Sequence, residues 1–268
     1  MDGAEAAIAR EAAGSNLYRW LRGRFYRYRG PAFGFLEALL WSTALDTWHR
    51  YAALMGALGE RLHPEVRILE VGPGWFGLEF FLPRDLIEAG RLVQLDIMSR
   101  PLYPLPGEET RLVGSGIALP AKDDAFDFVV AMDVLEHVPQ DLRGSFANEV
   151  RRVTRESAFL HMPLESADGT YQAARSDEAF QEWFERRFGR REPNIDEHLA
   201  AGHPSLEDVR RQFPEIQVRP TQSVRDWLWY MRAERQASRR AFTGLIRYLQ
   251  EPSAEPPFYS GLGVWDIG

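Results

Sequence analysis

Three glycines in the pattern G-x-G-x-x-G, Gly72, Gly74 and Gly77, follow directly after a short aliphatic run at 66–71. Glycine lets a backbone approach a ligand closely, and the N-terminus of a following helix offers unpaired N–H groups. Asp96 ends the next apolar run, where a carboxylate can accept hydrogen bonds from both hydroxyls of a ribose. The arrangement predicts a nucleoside cofactor. By itself it leaves open a nicotinamide or flavin cofactor and an adenosyl cofactor.

Two further features favour the adenosyl cofactor. Glu70 precedes the first glycine by two positions, where its carboxylate would repel a pyrophosphate but could organise the loop around an ammonium-bearing amino acid. A polar cluster that contains Asp133, Glu136 and His137 follows the apolar run at 128–132. Ligands of open α/β sheets bind at the carboxyl ends of the strands, so this cluster is expected to lie beside the cofactor.

Two histidines are candidates for a base that removes a proton from a substrate. His137 belongs to the polar cluster, and His161 ends a later apolar run, from which it should face the same cleft. Each also has a structural interpretation. His137 could hold the loop at the start of a helix, and His161 could be a half-buried side chain with satisfied hydrogen bonds.

A second group of acidic and histidine residues lies further along the chain, at Asp196, Glu197, His198 and His203. Such side chains can bind a metal, but their spacing matches no metal-binding motif. We therefore predict no metal, and we interpret the polar and aromatic stretch from 165 to about 203 as part of a lid over the substrate.

The elements that position these residues alternate between strands and helices. Helical spacing of Leu142, Phe146 and Val150 predicts a helix over 139–154, with Pro139 in its first turn. A further helix is expected over 76–82, and Ser205 with Asp208 resembles a capping box that starts a helix over 205–213. Apolar strands that alternate with helices predict a parallel sheet covered on both faces. The predicted strands are 66–71, 92–97, 112–113, 128–132, 158–162, 216–222 and 258–267.

Four motifs in this order resemble the class I S-adenosylmethionine-dependent methyltransferases, nearest to the branch with small-molecule and quinone-biosynthesis enzymes. The motifs are Leu-Glu-Val-Gly-Pro-Gly at 69–74, Leu-Asp at 95–96, Leu-Pro at 119–120 with Phe-Asp-Phe-Val-Val at 126–130, and Val-Leu-Glu-His-Val at 134–138. The resemblance covers about 66–163. It implies a Rossmann-like α/β fold with a seven-stranded, mostly parallel sheet whose last strand is antiparallel.

The resemblance also implies S-adenosylmethionine as cofactor, with S-adenosylhomocysteine as product, and it assigns residues to the parts of the cofactor. Asp96 would bind the ribose hydroxyls, Ile97 would lie beside the adenine, and Met132 with Asp133 would line the floor near the sulfonium. At Ser115 the family commonly has an acidic residue that contacts the adenine amino group, and a serine hydroxyl can still form a hydrogen bond there. The remaining implied cofactor residues are Glu70, Gly72, Pro73, Gly74, Gly77, Gly116, Ile117 and His137.

Composition narrows the class of protein further. The chain has 268 residues, a net charge of -7 and no cysteine, which excludes disulfides and cysteine nucleophiles and argues against a general nucleic-acid binder. No apolar run approaches the length of a membrane span, and the N-terminus lacks a signal-peptide pattern, so we expect a cytoplasmic protein. The basic and aromatic stretch at 18–29 fits either a helix that packs on the core or a contact with a membrane surface or an anionic substrate.

We therefore predict an S-adenosylmethionine-dependent methyltransferase that moves a methyl group to an oxygen, nitrogen or carbon of a small-molecule or saccharide- or lipid-linked acceptor. The expected divisions are an N-terminal helical cap (1–62), the cofactor-binding core (63–165), a lid insertion (166–212) and C-terminal elements that complete the core (213–268). The helical run at 224–250 would close the pocket or form a homodimer contact. The alternatives are a catalytically silent protein of the same fold that acts as a partner subunit, and an NAD(P)-dependent oxidoreductase.

Overall fold

We analysed a computed structural model of the chain, which describes residues 50–74, 77–98, 111–236 and 255–267. Most of the predicted N-terminal cap, including the basic and aromatic stretch at 18–29, lies outside the described residues. The same holds for the second half of the predicted helical run at 224–250. The described part of the chain contains no helix with the length and apolar character needed to cross a membrane.

Seven strands form one sheet in the order β3-β2-β1-β4-β5-β7-β6. Pairing is parallel from β3 to β5, and β7 is antiparallel to both of its neighbours. This confirms the expected seven-stranded, mostly parallel Rossmann-like sheet. The strands are β1 (Ile68–Val71), β2 (Leu92–Asp96), β3 (Arg111–Val113), β4 (Phe126–Met132), β5 (Thr154–Pro163), β6 (Gln217–Ser223) and β7 (Phe258–Asp266).

The strand order reverses between β1 and β4, which lie side by side in the sheet. The chain leaves β1 towards β2 on one side and leaves β4 towards β5 on the other, so the two outgoing connections diverge. This divergence opens a crevice at the carboxyl ends of the two strands, where open α/β sheets bind their ligands. The fold therefore places Gly72 and Asp133, the residues that directly follow β1 and β4, at the same edge.

Helices cover both faces of the sheet because alternate residues of each buried strand point to opposite faces. Along β4, Val129 and Ala131 join one apolar core with Phe146 and Val150 of helix α3, whereas Phe128 and Val130 join a second core. The helices are α1 (50–58), α2 (Arg84–Glu88), α3 (Arg143–Val153), α4 (Ala173–Phe188), α5 (Pro193–Ala201), α6 (Leu206–Gln212) and α7 (Val224–Gln236).

Two predicted helices contain 3-10 turns in the structure. The helix predicted over 139–154 begins with a 3-10 turn (Gln140–Leu142), and α3 follows it. In place of the helix predicted over 76–82, the described residues form a 3-10 turn (Leu78–Phe80). The Ser205 cap is confirmed, since its Oγ accepts a hydrogen bond from the Asp208 N–H at 3.0 Å.

The predicted lid consists largely of α4 and α5, which the sequence left without assigned structure. Both helices contribute to a third apolar cluster together with α7 and one residue of β7, through Phe180, Ile195, Trp227 and Tyr259. Glu192 caps the N-terminus of α5 by accepting from the Asn194 N–H at 2.8 Å. This cluster fixes α5 and α7 close to the carboxyl edge of the sheet.

Candidate active site

The turn after β1 strongly favours glycine at its first position. Gly72 and Gly74 both have positive φ, 65° and 62°. A Cβ on Gly72 would lie 2.7 Å from Cγ2 of Val134, because the turn passes directly over the segment that follows β4. The Gly72 N–H donates to the Leu95 carbonyl at 2.8 Å, which ties the turn to the end of β2. The backbone is thereby exposed to a ligand with no side chain in between.

Glu70 lies behind this turn and is fully buried. Its carboxylate accepts hydrogen bonds from Tyr51 Oη at 2.6 Å, from the Leu78 N–H at 2.9 Å and from Gln94 Nε2 at 2.8 Å. Burial, and then the nearby charge of Glu79, raise the pKa of Glu70 to about 7. The bond to Leu78 closes the turn, so Glu70 shapes the loop from below. The sequence had assigned it to the pocket for the methionine part of the cofactor.

Gly77 completes the predicted glycine pattern, and it too lies against the Glu70 network. A Cβ on Gly77 would approach Glu79, Glu70 and Gln94 to within 2.7 Å or less. The third glycine of the pattern is therefore required by the packing of the buried carboxylates.

The residues assigned to the ribose and adenine lie at the ends of β2 and β3. Asp96 is half-buried, and its Oδ1 accepts from the Met98 N–H at 3.0 Å. Ile97 is 74% exposed, so an apolar side chain remains in solvent where the resemblance implies an adenine ring. Beyond β3, Ser115 Oγ accepts from the Ile117 N–H at 3.4 Å, and Gly116 packs against Phe146.

Asp133 follows β4 with a positive φ of 53°, which directs its side chain across the crevice. One carboxylate oxygen pairs with Arg50 and the other with Nδ1 of His161. Burial alone would raise the pKa of Asp133, but the charges of His161 and Arg50 outweigh it and hold the pKa below its ordinary value. Asp133 is therefore an ionised group in a fixed position, next to the buried Met132.

His161 is 3% exposed, and both of its ring nitrogens have partners. Nε2 lies 3.0 Å from Thr221 Oγ1, which in turn lies 2.9 Å from Ser260 Oγ. Thr221 holds one side of the ring, and Nδ1 on the other side contacts Asp133. The ring is therefore placed to position that carboxylate. A direct role of His161 in catalysis remains a prediction.

A cavity of about 530 Å³ extends from the glycine turn and the end of β4 to helices α5 and α7. His137 lies in its wall, as do the stacked rings of Trp227 and Tyr259, whose centroids are 4.0 Å apart. Several of the predicted cofactor residues and several side chains of the lid line this one cavity. It comprises Arg50, Tyr51, Gly72, Pro73, Gly74, Met98, Met132, Asp133, Glu136, His137, Glu192, Asn194, Ile195, His198, Trp227, Tyr230, Met231, Arg235 and Tyr259.

Glu136 is the cavity residue whose chemical state is most unusual. It is 1% exposed, and its Oε2 has no hydrogen-bond partner among the described residues. Burial, and then the charge of Asp133, raise the pKa of Glu136 well above its ordinary value. The sequence placed Glu136 in the polar cluster but gave it no role. Its position in the Leu-Glu-His motif was the available signal.

The predicted acidic and histidine group is divided by the structure. Asp177, on α4, joins His198 and His203 at 3.3 and 2.9 Å, and its pKa is lowered because these hydrogen bonds outweigh its burial. Glu197 lies 3.2 Å from Nδ1 of His137. Asp196 instead pairs with Arg191 at 2.6 Å. Asp177 escaped prediction because it lies on the helix that the sequence pattern did not reveal.

Comparisons with known proteins agree with this arrangement. Residues 69–162 match the family model described as a methyltransferase domain. No curated protein sequence matches the chain. The chain therefore contains a methyltransferase domain, within the segment where its sequence resembles the class I S-adenosylmethionine-dependent methyltransferases. A methyltransferase domain supports an enzyme, as the sequence predicts.

Three solved structures illustrate the range of proteins to which the chain is similar in fold. A putative sarcosine dimethylglycine methyltransferase from Galdieria sulphuraria is 15% identical, with 85% of this chain and 88% of that chain covered and a TM-score of 0.49. Geranyl diphosphate C-methyltransferase from Streptomyces coelicolor A3(2) is 12% identical, with 81% and 76% covered and a TM-score of 0.47. A putative methyltransferase from Haloferax volcanii, in complex with the Trm112 methyltransferase activator, is 16% identical, with 87% and 95% covered and a TM-score of 0.48.

Proposed function

We propose that this protein transfers the methyl group of S-adenosylmethionine to a small-molecule acceptor that binds in the 530 Å³ cavity between the end of β4 and helices α5 and α7. The observation that supports the proposal is the continuity of this cavity. The same cavity is lined by Gly72 and Gly74 of the glycine turn and by Glu136, His137 and Tyr230. The volume lies in the range typical of small-molecule sites.

The residues of the turn fit the cofactor by geometry and by charge. The bare backbone at Gly72 and Gly74 admits the amino-acid part, Asp96 receives the ribose hydroxyls, and Ile97 offers an exposed apolar contact to the adenine. We extend the adenine contact to Ser115, Gly116 and Ile117, as expected from the sequence. When bound, S-adenosylmethionine supplies an electrophilic methyl group, which an acceptor atom takes by direct displacement.

The protein's contribution is then alignment, exclusion of water and management of a proton. Asp133, held by Arg50 and His161, gives the cavity floor a fixed negative charge near the expected position of the sulfonium. The stacked rings of Trp227 and Tyr259 line the cavity, where they would help to exclude water. When the acceptor is a hydroxyl or an amine, Glu136 and His137 are the wall groups that its proton meets first.

The first test is calorimetric titration of the purified full chain with S-adenosylhomocysteine and, in parallel, with NADH. We expect micromolar binding of S-adenosylhomocysteine and no binding of NADH. Binding of NADH alone would contradict the proposal and favour the oxidoreductase. Binding of neither compound would also contradict it.

The second test is transfer of a labelled methyl group to libraries of small hydroxylated, amine-bearing and lipid- or saccharide-linked compounds. Transfer to a compound that fits the cavity supports the proposal. Tight binding of S-adenosylhomocysteine without transfer to any class would favour the catalytically silent alternative. A variant that fills the cavity, such as Gly74→Trp, should lose transfer, whereas the exposed control Glu60→Gln should keep it.

A further inference from the structure

A compact group of two imidazoles and one carboxylate lies in the cavity wall, at Glu136, His137 and His198. Each residue offers one ligand atom, and these three atoms lie within 4.8 Å of one another. Glu136 and His137 come from the 3-10 turn after β4 (Leu135–His137), and His198 comes from α5. The group therefore forms only when the lid helix lies over the edge of the sheet.

The state of Glu136 is an independent observation that indicates a ligand. The side chain is 1% exposed and lines the cavity, yet its Oε2 has no hydrogen-bond partner among the described residues. A buried carboxylate oxygen without a partner costs free energy, because it has lost water and gained no donor. A cation between Glu136 and the two histidines would remove this cost.

Each of the two histidines also contacts a carboxylate outside the group. Nδ1 of His137 lies 3.2 Å from Glu197 Oε1, and Nδ1 of His198 lies 3.3 Å from Asp177 Oδ2. A carboxylate only accepts hydrogen bonds, so Nδ1 is the donor in each contact, and Nε2 is the ring nitrogen left to bind a cation. Metal-binding histidines are typically fixed in this way by an outer carboxylate.

The neighbouring group of Asp177, His198 and His203 is a weaker candidate for the same ion. Asp177 already accepts from His203 at 2.9 Å and from Tyr259 Oη at 3.1 Å, and it is fully buried. Its oxygens are therefore used in holding α4, α5 and β7 together. This leaves Asp177 as a support for His198.

We propose that Glu136, His137 and His198 bind a divalent transition-metal ion, with Zn²⁺ the best match, at the wall of the acceptor cavity. Two imidazoles and one carboxylate are a known ligand set for such ions, and they leave at least one coordination position open to a substrate. Since all three residues line the cavity, this position would take an oxygen or nitrogen of the acceptor. A metal-bound hydroxyl loses its proton more readily, so the ion would activate the acceptor, whose proton would leave to solvent because Glu136 and His137 would be occupied as ligands.

Metal binding is independent of methyl transfer, but the role of the ion rests on the proposed function. The two are therefore measured separately on the same samples. Full-length protein, treated with a chelator and dialysed, is titrated by calorimetry with Zn²⁺, with Mg²⁺ as a hard-cation control, and with S-adenosylhomocysteine. We expect one Zn²⁺ per chain at micromolar affinity or tighter, and no comparable binding of Mg²⁺.

Two variants and a matched control assign the ion to this group. Glu136→Gln and His198→Gln should each weaken Zn²⁺ binding at least tenfold. His63→Gln should leave it unchanged, although His63 also pairs with a carboxylate, Glu65 at 3.4 Å, on the protein surface. Retained binding of S-adenosylhomocysteine shows that a variant is folded.

The outcomes separate the two proposals. Wild-type protein that binds S-adenosylhomocysteine but not Zn²⁺ overturns the metal site and leaves the methyltransferase proposal intact. Binding of Zn²⁺ that both variants retain also overturns it, since the ion then lies elsewhere. If neither variant folds, the absorption spectrum of the Co²⁺-loaded wild type decides: bands of a four- or five-coordinate nitrogen and oxygen site support the proposal, and the spectrum of hydrated Co²⁺ contradicts it.

Discussion

Two buried glutamates, Glu70 behind the glycine turn and Glu136 in the cavity wall, differ in what the fold provides for them. Both are almost completely buried, at 0% and 1% exposure, and burial raises the pKa of each. Glu70 accepts hydrogen bonds from three different residues, whereas Oε2 of Glu136 accepts none from the described part of the chain. The protein supplies hydrogen-bond donors to the first carboxylate, and the proposed ion would supply a partner to the second.

This difference separates the roles of the two sides. Around Glu70, the chain fixes a glycine turn before any cofactor arrives, which lowers the cost of ordering the loop on binding. Around Glu136, a helix of the lid and a turn of the core meet without satisfying every polar atom. An unsatisfied group in a native structure calls for an explanation, and a bound ion or acceptor supplies one. Predictions that disturb each side in turn test the comparison.

The largest expected effect is on the glycine turn. In Gly72→Ala, the new Cβ would lie 2.7 Å from Val134 and would also be strained at φ 65°. The turn must shift away from the end of β4, so we expect affinity for S-adenosylhomocysteine to fall at least a hundredfold, or about 2.7 kcal/mol. Calorimetry on the purified variant measures this.

Gly74→Ala is the matched control for Gly72→Ala. Gly74 has almost the same φ, 62°, but a Cβ there meets nothing within 4 Å. Its cost in protein stability should be only that of the strained backbone, on the order of 1 kcal/mol. If affinity for S-adenosylhomocysteine falls equally in the two variants, backbone strain, and not the contact with Val134, makes the turn depend on glycine.

The second prediction concerns the pH dependence that Glu70 imposes. Its pKa is about 7 in the folded protein and lies near 4.5 when unfolded, so the folded state binds more protons between these values. The free energy of unfolding therefore decreases as pH rises from about 4.5 to about 7, at up to about 1.4 kcal/mol per pH unit. In Glu70→Gln, the free energy of unfolding should decrease over this window by on the order of 2 kcal/mol less than in the wild type.

Urea unfolding of the wild type and of Glu70→Gln at pH 5 and pH 7 measures this difference. Only the change between the two pH values within each protein is compared, so a general destabilisation of the variant does not matter. Glu60→Gln, at an exposed position, should show the wild-type dependence. A Glu70→Gln variant with that same dependence would show that Glu70 titrates normally.

The cofactor side could be predicted from the sequence because its signals are local. The turn at Gly72 follows its strand directly, and Asp96 ends the next strand, so both positions are fixed by the parallel sheet. The structure placed the end of β4 beside them, as expected from the reversal of strand order. The role of Glu70 was only partly predicted, because its donors Tyr51 and Gln94 come from distant segments.

The acceptor side could not be predicted because its contacts join residues far apart in sequence. His137 and Glu197 are separated by 60 positions, and Asp177 reaches His203 over 26. The pattern of apolar residues in α4 and α5 is interrupted by many charged side chains, which hid both helices. Without α4 there was no means of placing Asp177 behind His198.

The third prediction tests the ribose assignment on the cofactor side. In Asp96→Ala, the two hydrogen bonds expected from the ribose hydroxyls are lost, so we expect at least a tenfold weaker binding of S-adenosylhomocysteine, or about 1.4 kcal/mol. Calorimetry measures the affinity, and a thermal melt confirms that the sheet remains folded. Asp85→Ala, at an exposed position on α2, is the control and should bind as the wild type does. Unchanged affinity in Asp96→Ala would refute the assignment.

The smallest expected effect concerns the residues that support Asp133. Thr221 Oγ1 lies 3.0 Å from Nε2 of the buried His161, which in turn binds Asp133. Thr221→Val removes the hydroxyl but keeps the shape, so Nε2 loses its partner, and we expect a loss of about 1 kcal/mol in the free energy of unfolding. Thr221→Ser keeps the hydroxyl and should retain most of the stability.

Affinity for S-adenosylhomocysteine should change less than about threefold in both variants, because Asp133 still pairs with Arg50. A large loss of affinity in Thr221→Val alone would mean that His161, and not Arg50, sets the position of the carboxylate.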